Sequence, residues 1–415
     1  MDILLIGNGF DLAHGLPTTY GDFLEFSKRI NERIMPKKES VKKLFTMPVH
    51  NKRETKKTIK TLLKDNLWYY YFKEKQSELG ADWCDFENEI EQVVKQLEMI
   101  KTSNLSLQNS PKNFDISLTY FVFTYLKHNN PKLEDISIEK GDFLLWKVIK
   151  DKPKTTSNRI IFPEQWLLRF SINENDYNIN FSEPDHEMII NFDNFIKFII
   201  KQLNGFTKCL ELYLTCFIER KEFLRRYNRI YTVPRITYII DKFKENDANF
   251  KIINFNYTNT IAYYIEGNRS PIDEIDDVCY IHGKGFSNPD NETPRLVLGM
   301  DEDNPQNIDH SFLAFRKYFQ RNSKHTDQKC FDWITEIEKD TNQEHNLYIL
   351  GHSLTKSDKQ ILHKLITLKN IKTTIYHIGD NEEQLNANLV IILGYEKYIE
   401  FTSGNNNAKI TFKEL

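Results

Sequence analysis

The sequence predicts an α/β fold, a mostly parallel sheet carrying a large helical insertion. Three observations carry that prediction. The apolar run Ile3–Ile6 breaks straight into Gly7-Asn8-Gly9, which reads as a buried strand feeding a glycine loop. Short β-rich runs alternating with helical patterns appear only after Phe250, the signature of a parallel sheet covered by helices. Of fifteen glycines, four lie at Gly7, Gly9, Gly15 and Gly21, eight follow residue 266, and only Gly80, Gly141 and Gly205 fall between. The middle of the chain therefore differs in texture from its ends. The first strand has no β neighbour close in sequence, so its partners must come from beyond residue 250. Residues 1–30 plus 246–415 are read as one α/β domain, whose glycine loop before a helix start suits a nucleotide phosphate, and 31–245 as a mainly helical insertion.

Each element follows in turn. After Pro17, Thr19 to about Arg33 reads as a helix with Thr18 or Thr19 as N-cap and Phe23, Phe26 and Ile30 at helical spacing. Residues 34–53, with Pro36 and Pro48, read as an exposed connection. Apolar residues then recur at three and four over Glu54–Leu79 and Asp85–Lys101, predicting two helices separated near Gly80, with Trp83 and Phe86 as core. A Ser/Asn-rich loop spans 102–114, a helix Ile116–Lys127, and a strand Arg159–Phe162. Helices are expected over Met188–Leu203, Thr207–Tyr227 and Pro234–Glu245. Beyond 250 the strands are Lys251–Phe255, Val278–Ile281, Arg295–Leu298, Leu347–Leu350 and Thr373–Ile378. Helices follow at about 310–320, 328–340, 357–368 and 382–391.

Composition narrows the class. At 415 residues the chain can build a large core. The net charge of −3 argues against a general nucleic-acid binder. The charge is uneven, since residues 37–64 hold ten Lys/Arg against Glu39 and Glu54, a local +8 that leaves −11 elsewhere. Such a run is usually a solvated face; its functional alternative is contact with nucleic acid or with the acidic remainder of another subunit. Five cysteines, none spaced C-x-x-C, imply neither a disulfide framework nor a zinc site. No leader-like segment and no run near eighteen apolar residues appear, so the expectation is a cytoplasmic protein away from the membrane.

Four motifs fall at predicted strand ends: Gly7-Asn8-Gly9 through Pro17, Asn254-Phe-Asn256-Tyr-Thr258, Ile281-His282-Gly283, and Gly351-His352-Ser353 with Asp358 beyond. Ligands of open parallel sheets bind outside the carboxyl ends of strands, so these loops should converge. A hydride-transfer fingerprint does not fit, because Leu12 stands where the third glycine belongs and Glu25 lies in a predicted helix. Ser353 is no esterase nucleophile, since Gly351-His-Ser-Leu-Thr lacks the second elbow glycine. Asn8 and Asp11 also suit helix capping, Asn256 a turn, and Asp358 a helix start. His14, His310, His352 and His363 are read as hydrogen-bonding or surface residues.

Together the motifs resemble the bacteriophage abortive-infection AbiH family. The resemblance is carried by Gly7-Asn8-Gly9-Phe10-Asp11-Leu12, His14-Gly15-Leu16-Pro17-Thr18, Tyr20-x-Asp22-Phe23, Trp83-x-Asp85-Phe86-Glu87, Asn254-Phe-Asn256-Tyr-Thr258 and His282-Gly283. More distantly, their order is similar to the sirtuin-like, Rossmann-type NAD-binding fold. The resemblance implies an antiphage protein that binds NAD, or a related nucleotide, and hydrolyses it at the nicotinamide–ribose bond, using no metal. It implies that Asn256 holds a ribose hydroxyl or the attacking water and that His282 is the general base. Gly7, Asn8 and Gly9 would cradle the diphosphate, with Phe10, Asp11, Pro17, Thr18, Thr258, Gly351, Ser353 and Asp358 completing the ligand site.

Two departures matter. The cysteine pairs of the deacetylases' zinc module are absent, and Thr258 replaces the Asp usual two positions after the Asn, a gap that Asp11 or Glu87 could fill. A phage-derived trigger and a homo-oligomer are compatible with this reading. The alternatives are a non-catalytic module that senses NAD or ADP-ribose, and a nucleic-acid-acting effector working through the basic run 37–64.

Overall fold

A computed structural model describes residues 1–46, 52–76, 83–102, 121, 125, 147–148, 160–161, 168–171, 188–219, 236–241, 250–261, 277–285, 294–301, 309–340, 342–404 and 408–415. Its centre is a six-stranded, all-parallel sheet. In chain order the strands are β1 (Asp2–Ile6), two short ribbons (β2 Lys147–Val148 with β3 Ile160–Ile161; β4 Leu168–Ser171 with β5 Met188–Asn191), then β6 (Lys251–Asn254), β7 (Val278–Tyr280), β8 (His345–Leu350), β9 (Ile371–His377) and β10 (Ile410–Glu414). The spatial order β10-β9-β8-β1-β6-β7 is that of a doubly wound sheet. Strand β1 lies between β6 and β8, with Ile3 opposite both Lys251 and Leu347. Both its partners lie beyond residue 250, and chain direction reverses its spread at β1/β8.

The apolar run Ile3–Ile6 is wholly buried because the sheet is covered on both faces. Ile3 and Leu5 join Ile334, Ile361 and Leu389 on one face; Leu4 and Ile6 join Phe10, Ile239 and Ile240 on the other. The alternation is the period of two of a strand.

A second, larger core gathers helices from the first half of the chain: α1 (Asn8–Ala13) leads from the sheet to α2 (Tyr20–Asn31), followed by α3 (Glu39–Thr46), α4 (Lys52–Leu63), α5 (Leu67–Lys75), α6 (Trp83–Thr102) and α7 (Phe192–Tyr213). Helix α2 starts at a reciprocal cap. The Asp22 N–H donates to the Thr19 hydroxyl at 3.1 Å, and the Thr19 N–H donates to the Asp22 carboxylate at 3.0 Å. Its Phe23 and Phe26 pack on Phe206, Tyr213 and Phe217. Trp68 is buried on α5 and donates its indole N–H to the Ile199 carbonyl at 3.1 Å. Phe86 is buried in this core as expected, whereas the side chain of Trp83 lies outside the described residues.

Several elements differ from the sequence expectation. The stretch 34–53 contains helix α3, whose Val41 and Leu44 are buried. Glu54–Leu79 breaks at 64–66, where the Asn66 side chain accepts the Tyr69 N–H and caps α5; Gly80 lies outside the described residues. Met188–Asn191 is a strand, because the Asn191 side chain accepts the Asn194 N–H and starts the helix only at Phe192. Arg295–Leu298 is no strand. Its backbone groups are taken by Gln320, which bonds both N–H and C=O of Leu298, and by Lys324, which donates to the Leu296 carbonyl. The helix expected over Ile116–Lys127 lies mostly outside the described residues, and Ile160–Ile161 pairs antiparallel with Lys147–Val148.

Toward the C-terminal end come α8 (Lys317–Lys324), α9 (Gln328–Lys339), α10 (Lys359–Ile366), α11 (Glu382–Leu393) and α12 (Tyr395–Thr402), of which α9 to α12 join the core on one face of the sheet. No helix among the described residues is long and apolar enough to cross a membrane. The basic run lies on α3 and α4 and their approaches. Lys38 pairs with Asp22 at 2.9 Å, Lys42 with Glu39 at 3.3 Å, and Lys56 sits over the Phe45 ring.

Candidate functional site

The carboxyl ends of β1, β6, β7 and β8 open into one cavity of 380 Å³, within the ~300–1,000 Å³ of small-ligand sites. The β1/β8 switch point lies at its floor, where ligands of doubly wound sheets bind. All four strand-end motifs reach it: Gly7 through Ala13 and Thr18, Phe255 through Thr258, His282, and Leu350 through Ser353 with Asp358. Pro17 stands behind this wall, its carbonyl accepting the Tyr213 hydroxyl. Ser353 is on the exposed rim.

The glycines have a local cause. A Cβ on Gly7 would meet the His352 Cα at 2.6 Å, and one on Gly9 the Gly351 carbonyl oxygen at 2.8 Å. Gly351, at φ +67°, would in turn place a Cβ 2.4 Å from the Phe10 nitrogen. The β1 and β8 loops thus lie backbone to backbone. Gly7 and Gly9 donate their N–H groups to the carbonyls of Leu350 and Gly351 at 3.1 and 2.8 Å, which engages two of the amides expected to cradle a diphosphate. The Asn8 side chain accepts the Thr18 hydroxyl at 2.8 Å, bracing the turn.

On the β6 side, Asn254 shapes the loop. Its side-chain Oδ1 accepts the Asn256 N–H and its side-chain amide Nδ2 donates to the Thr258 backbone carbonyl, both at 2.8 Å. This Asx-type turn aims Asn256 into the cavity with both of its side-chain polar atoms buried and without a hydrogen-bond partner. Glu219, at the end of the π-helical turn Leu214–Ile218, accepts the Asn259 N–H and ties the loop to the helical core. Burial pushes the Glu219 carboxyl up to about 8.

His282 follows β7. Its Nε2 lies 3.0 Å from Asp358 Oδ1, while its Nδ1 is buried and has no partner. The second histidine, His352, accepts the Leu354 N–H at Nδ1, so its Nε2 carries the hydrogen and faces Asp358 Oδ2 at 3.4 Å. Burial alone would raise the Asp358 carboxyl, but Lys317 and His282 outweigh it and hold it well below the usual carboxylate range. Burial, reinforced by Lys317, pushes His282 down to about 4 against the pull of Asp358. The imidazole is therefore neutral, with Nε2–H donating to Asp358 and a lone pair on Nδ1.

Lys317 was not legible as a site residue. Its side chain is wholly buried, and its ammonium meets Glu87 at 2.6 Å, Asp358 at 3.0 Å and the Ser357 carbonyl at 3.1 Å, one acceptor for each of its three hydrogens. Burial works against its charge, yet Asp358 and Glu87 raise it above its ordinary value. Glu87 comes from α6 and lines the cavity; burial pushes its carboxyl up to about 7 despite Lys317. Glu87 and Leu214 are thus two points at which the helical core enters the site, and Glu219 braces the β6 loop from behind.

These shifts set the pH dependence of stability. Asp11 (raised by burial to about 6), Glu87 and Glu219 hold protons more tightly folded than unfolded, so their contribution is complete below their unfolded values and is lost as pH rises through 6 to 8. His282 acts oppositely, its contribution being lost as pH falls from 6.5 through about 4. Burial also lowers His14 and His363, which act with His282, but the histidines have finished titrating by pH 6.5, whereas Glu87 and Glu219 lose their contribution up to about 7 and 8; the urea midpoint should therefore fall between pH 6.5 and pH 8, and Glu219→Gln should flatten the alkaline part. A midpoint that climbs across that range would contradict these assignments.

A family model described as bacteriophage abortive infection AbiH matches residues 3–379, nearly the whole chain. The chain belongs to the AbiH family. The match takes in β1 and the motifs after β6, β7 and β8, so every side chain described above lies within the AbiH region. No curated protein and no solved structure matches the chain. Among the described residues of this AbiH chain, no group of three or more His, Cys, Asp or Glu side chains is arranged to hold a metal ion.

Proposed function

We propose that this AbiH protein acts in abortive infection by binding NAD in the switch-point cavity and hydrolysing its nicotinamide–ribose bond. The observation that carries the reading is the pairing, in one cavity, of an unpartnered buried Asn256 amide with a neutral His282 whose Nδ1 lone pair is also unpartnered. Buried polar groups are nearly always satisfied, and unsatisfied ones call for a ligand or water. The strand order and the sequence of glycine loop, Asn256, His282 and Gly351-x-Ser353 around the cavity support a sirtuin-like, Rossmann-type relationship.

Water attacks C1′ of the nicotinamide-side ribose as the bond to the pyridine nitrogen breaks and neutral nicotinamide leaves. The water's proton passes to His282 Nδ1, and Asp358 stabilises the imidazolium through Nε2–H. Asn256 orients the water or a ribose hydroxyl. The acidic lining, Asp11, Glu87 and Asp358, favours the positively charged ring of the substrate and the cationic character that develops at the ribose. The rest of the dinucleotide runs along the Gly351–Ser353 loop toward Tyr376 and Asn381.

Nicotinamide release from NAD by the purified protein, with and without extract of phage-infected cells as a source of trigger, tests this. Asn256→Ala and His282→Ala should each lower the rate by roughly 10²–10⁴-fold. Release that survives both changes overturns the roles, and NAD binding without release in either condition favours the nucleotide-sensing alternative.

A further inference from the structure

Asp11 is the cavity's least explained carboxylate. It sits on α1 with its side chain buried, one oxygen accepting the Thr258 hydroxyl, which itself accepts the Thr260 hydroxyl at 3.2 Å. That hydroxyl relay fixes Oδ2. The other oxygen, Oδ1, is buried and has no hydrogen-bond partner, although Asp11 lines the same cavity as Asn256 and Thr258. A buried, unpaired carboxylate oxygen is costly, and what relieves it is an O–H or N–H donor arriving with a ligand. The relay contacts Thr258, the position at which the sirtuin-like pattern would carry an acid, two residues after Asn256.

Resting on the nucleotide-binding reading above, we propose that Asp11 receives a hydroxyl of the nicotinamide-side ribose, so that the first helix supplies the carboxylate that position 258 lacks. Thr258 keeps a supporting part, holding Oδ2 so that Oδ1 faces the ligand. A single ribose hydroxyl suits this acceptor, because the protein has already filled its partner oxygen. In this arrangement Asn256 and Asp11 grip the same sugar from the β6 and β1 sides, which fixes the ring across the switch point.

The test compares the wild type with Asp11→Asn on three ligands: NAD, and NAD lacking either the 2′- or the 3′-hydroxyl of its nicotinamide-side ribose. Dissociation constants come from calorimetry and circular dichroism monitors the fold. Asp11→Asn should weaken NAD by roughly 10- to 100-fold, the range of one hydrogen bond to a charged group. It should cost little on the analogue missing the hydroxyl that Asp11 receives. The double variant Asp11→Asn/Thr258→Asp, which returns a carboxylate at the neighbouring position, should recover part of the loss. Equal weakening on all three ligands, or none on any, makes Asp11 a brace for the loop and overturns the proposal. A folded wild type that binds none of the three ligands removes the nucleotide reading itself, and the role of Asp11 falls with it.

Discussion

Lys317→Met lowers the unfolding free energy by roughly 3–5 kcal/mol, the cost of leaving buried charges without their partner. The lysine lies between Glu87 and Asp358, and all three side chains are buried or nearly so. Methionine keeps the length of the stem but withdraws the charge that offsets two carboxylates. Urea denaturation measures the loss. Removing Glu87 as well, in Lys317→Met/Glu87→Leu, should restore most of it, because Asp358 retains His282 and His352 while the second orphaned acid is gone. A single variant within about 1 kcal/mol of wild type would mean that water reaches this cluster.

Gly351→Ala should cost roughly 2–5 kcal/mol, the sum of a side chain in the left-handed region and overpacking against fixed backbone. The new methyl would lie 2.4 Å from the Phe10 nitrogen and 2.8 Å from the Gly9 carbonyl carbon, so the β1 and β8 loops must separate. Gly379→Ala is the matched control. It has a similar φ of +55° but nothing within 4 Å of the added carbon, so only the conformational cost of about 1–2 kcal/mol applies. Equal losses in the two variants would show that loop contact contributes nothing.

The sheet was legible where burial on both faces made its strands continuous apolar runs. Ile3–Ile6 and Leu347–Leu350 read this way, and the absence of a local partner for β1 placed its neighbours beyond residue 250. Strand β10 escaped because Ile-Thr-Phe-Lys-Glu is an edge, half exposed and too polar to signal itself. Arg295–Leu298 misled because an apolar run with good β propensity can be buried outside the sheet when side chains and a loop carbonyl, here those of Gln320, Lys324 and His282, satisfy its backbone groups.

The lining of the cavity was legible where glycine, asparagine and histidine punctuate strand ends. Lys317 was not, because the polar helix Lys-Tyr-Phe-Gln-Arg-Asn-Ser-Lys reads as solvated. Only the arrival of Glu87 from α6, remote in sequence, turns its first residue into the centre of an ion cluster. Glu219 and its hold on Asn259 are likewise a product of tertiary contact between distant segments.

The position of β1 has a temporal consequence. Its inner partner β8 ends at Leu350, opposite Ile6, and ribosomes add about 5–20 residues per second. The first strand therefore waits roughly 17–70 s for that neighbour, while the helices encoded between them emerge and can begin to pack. Until Leu350 and Asp358 leave the ribosome, the glycine loop faces no second loop and His282 has no carboxylate. A nascent chain that has not reached Asp358 carries no assembled cleft, so a cell making this protein is exposed to whatever the cleft does only once that residue has emerged.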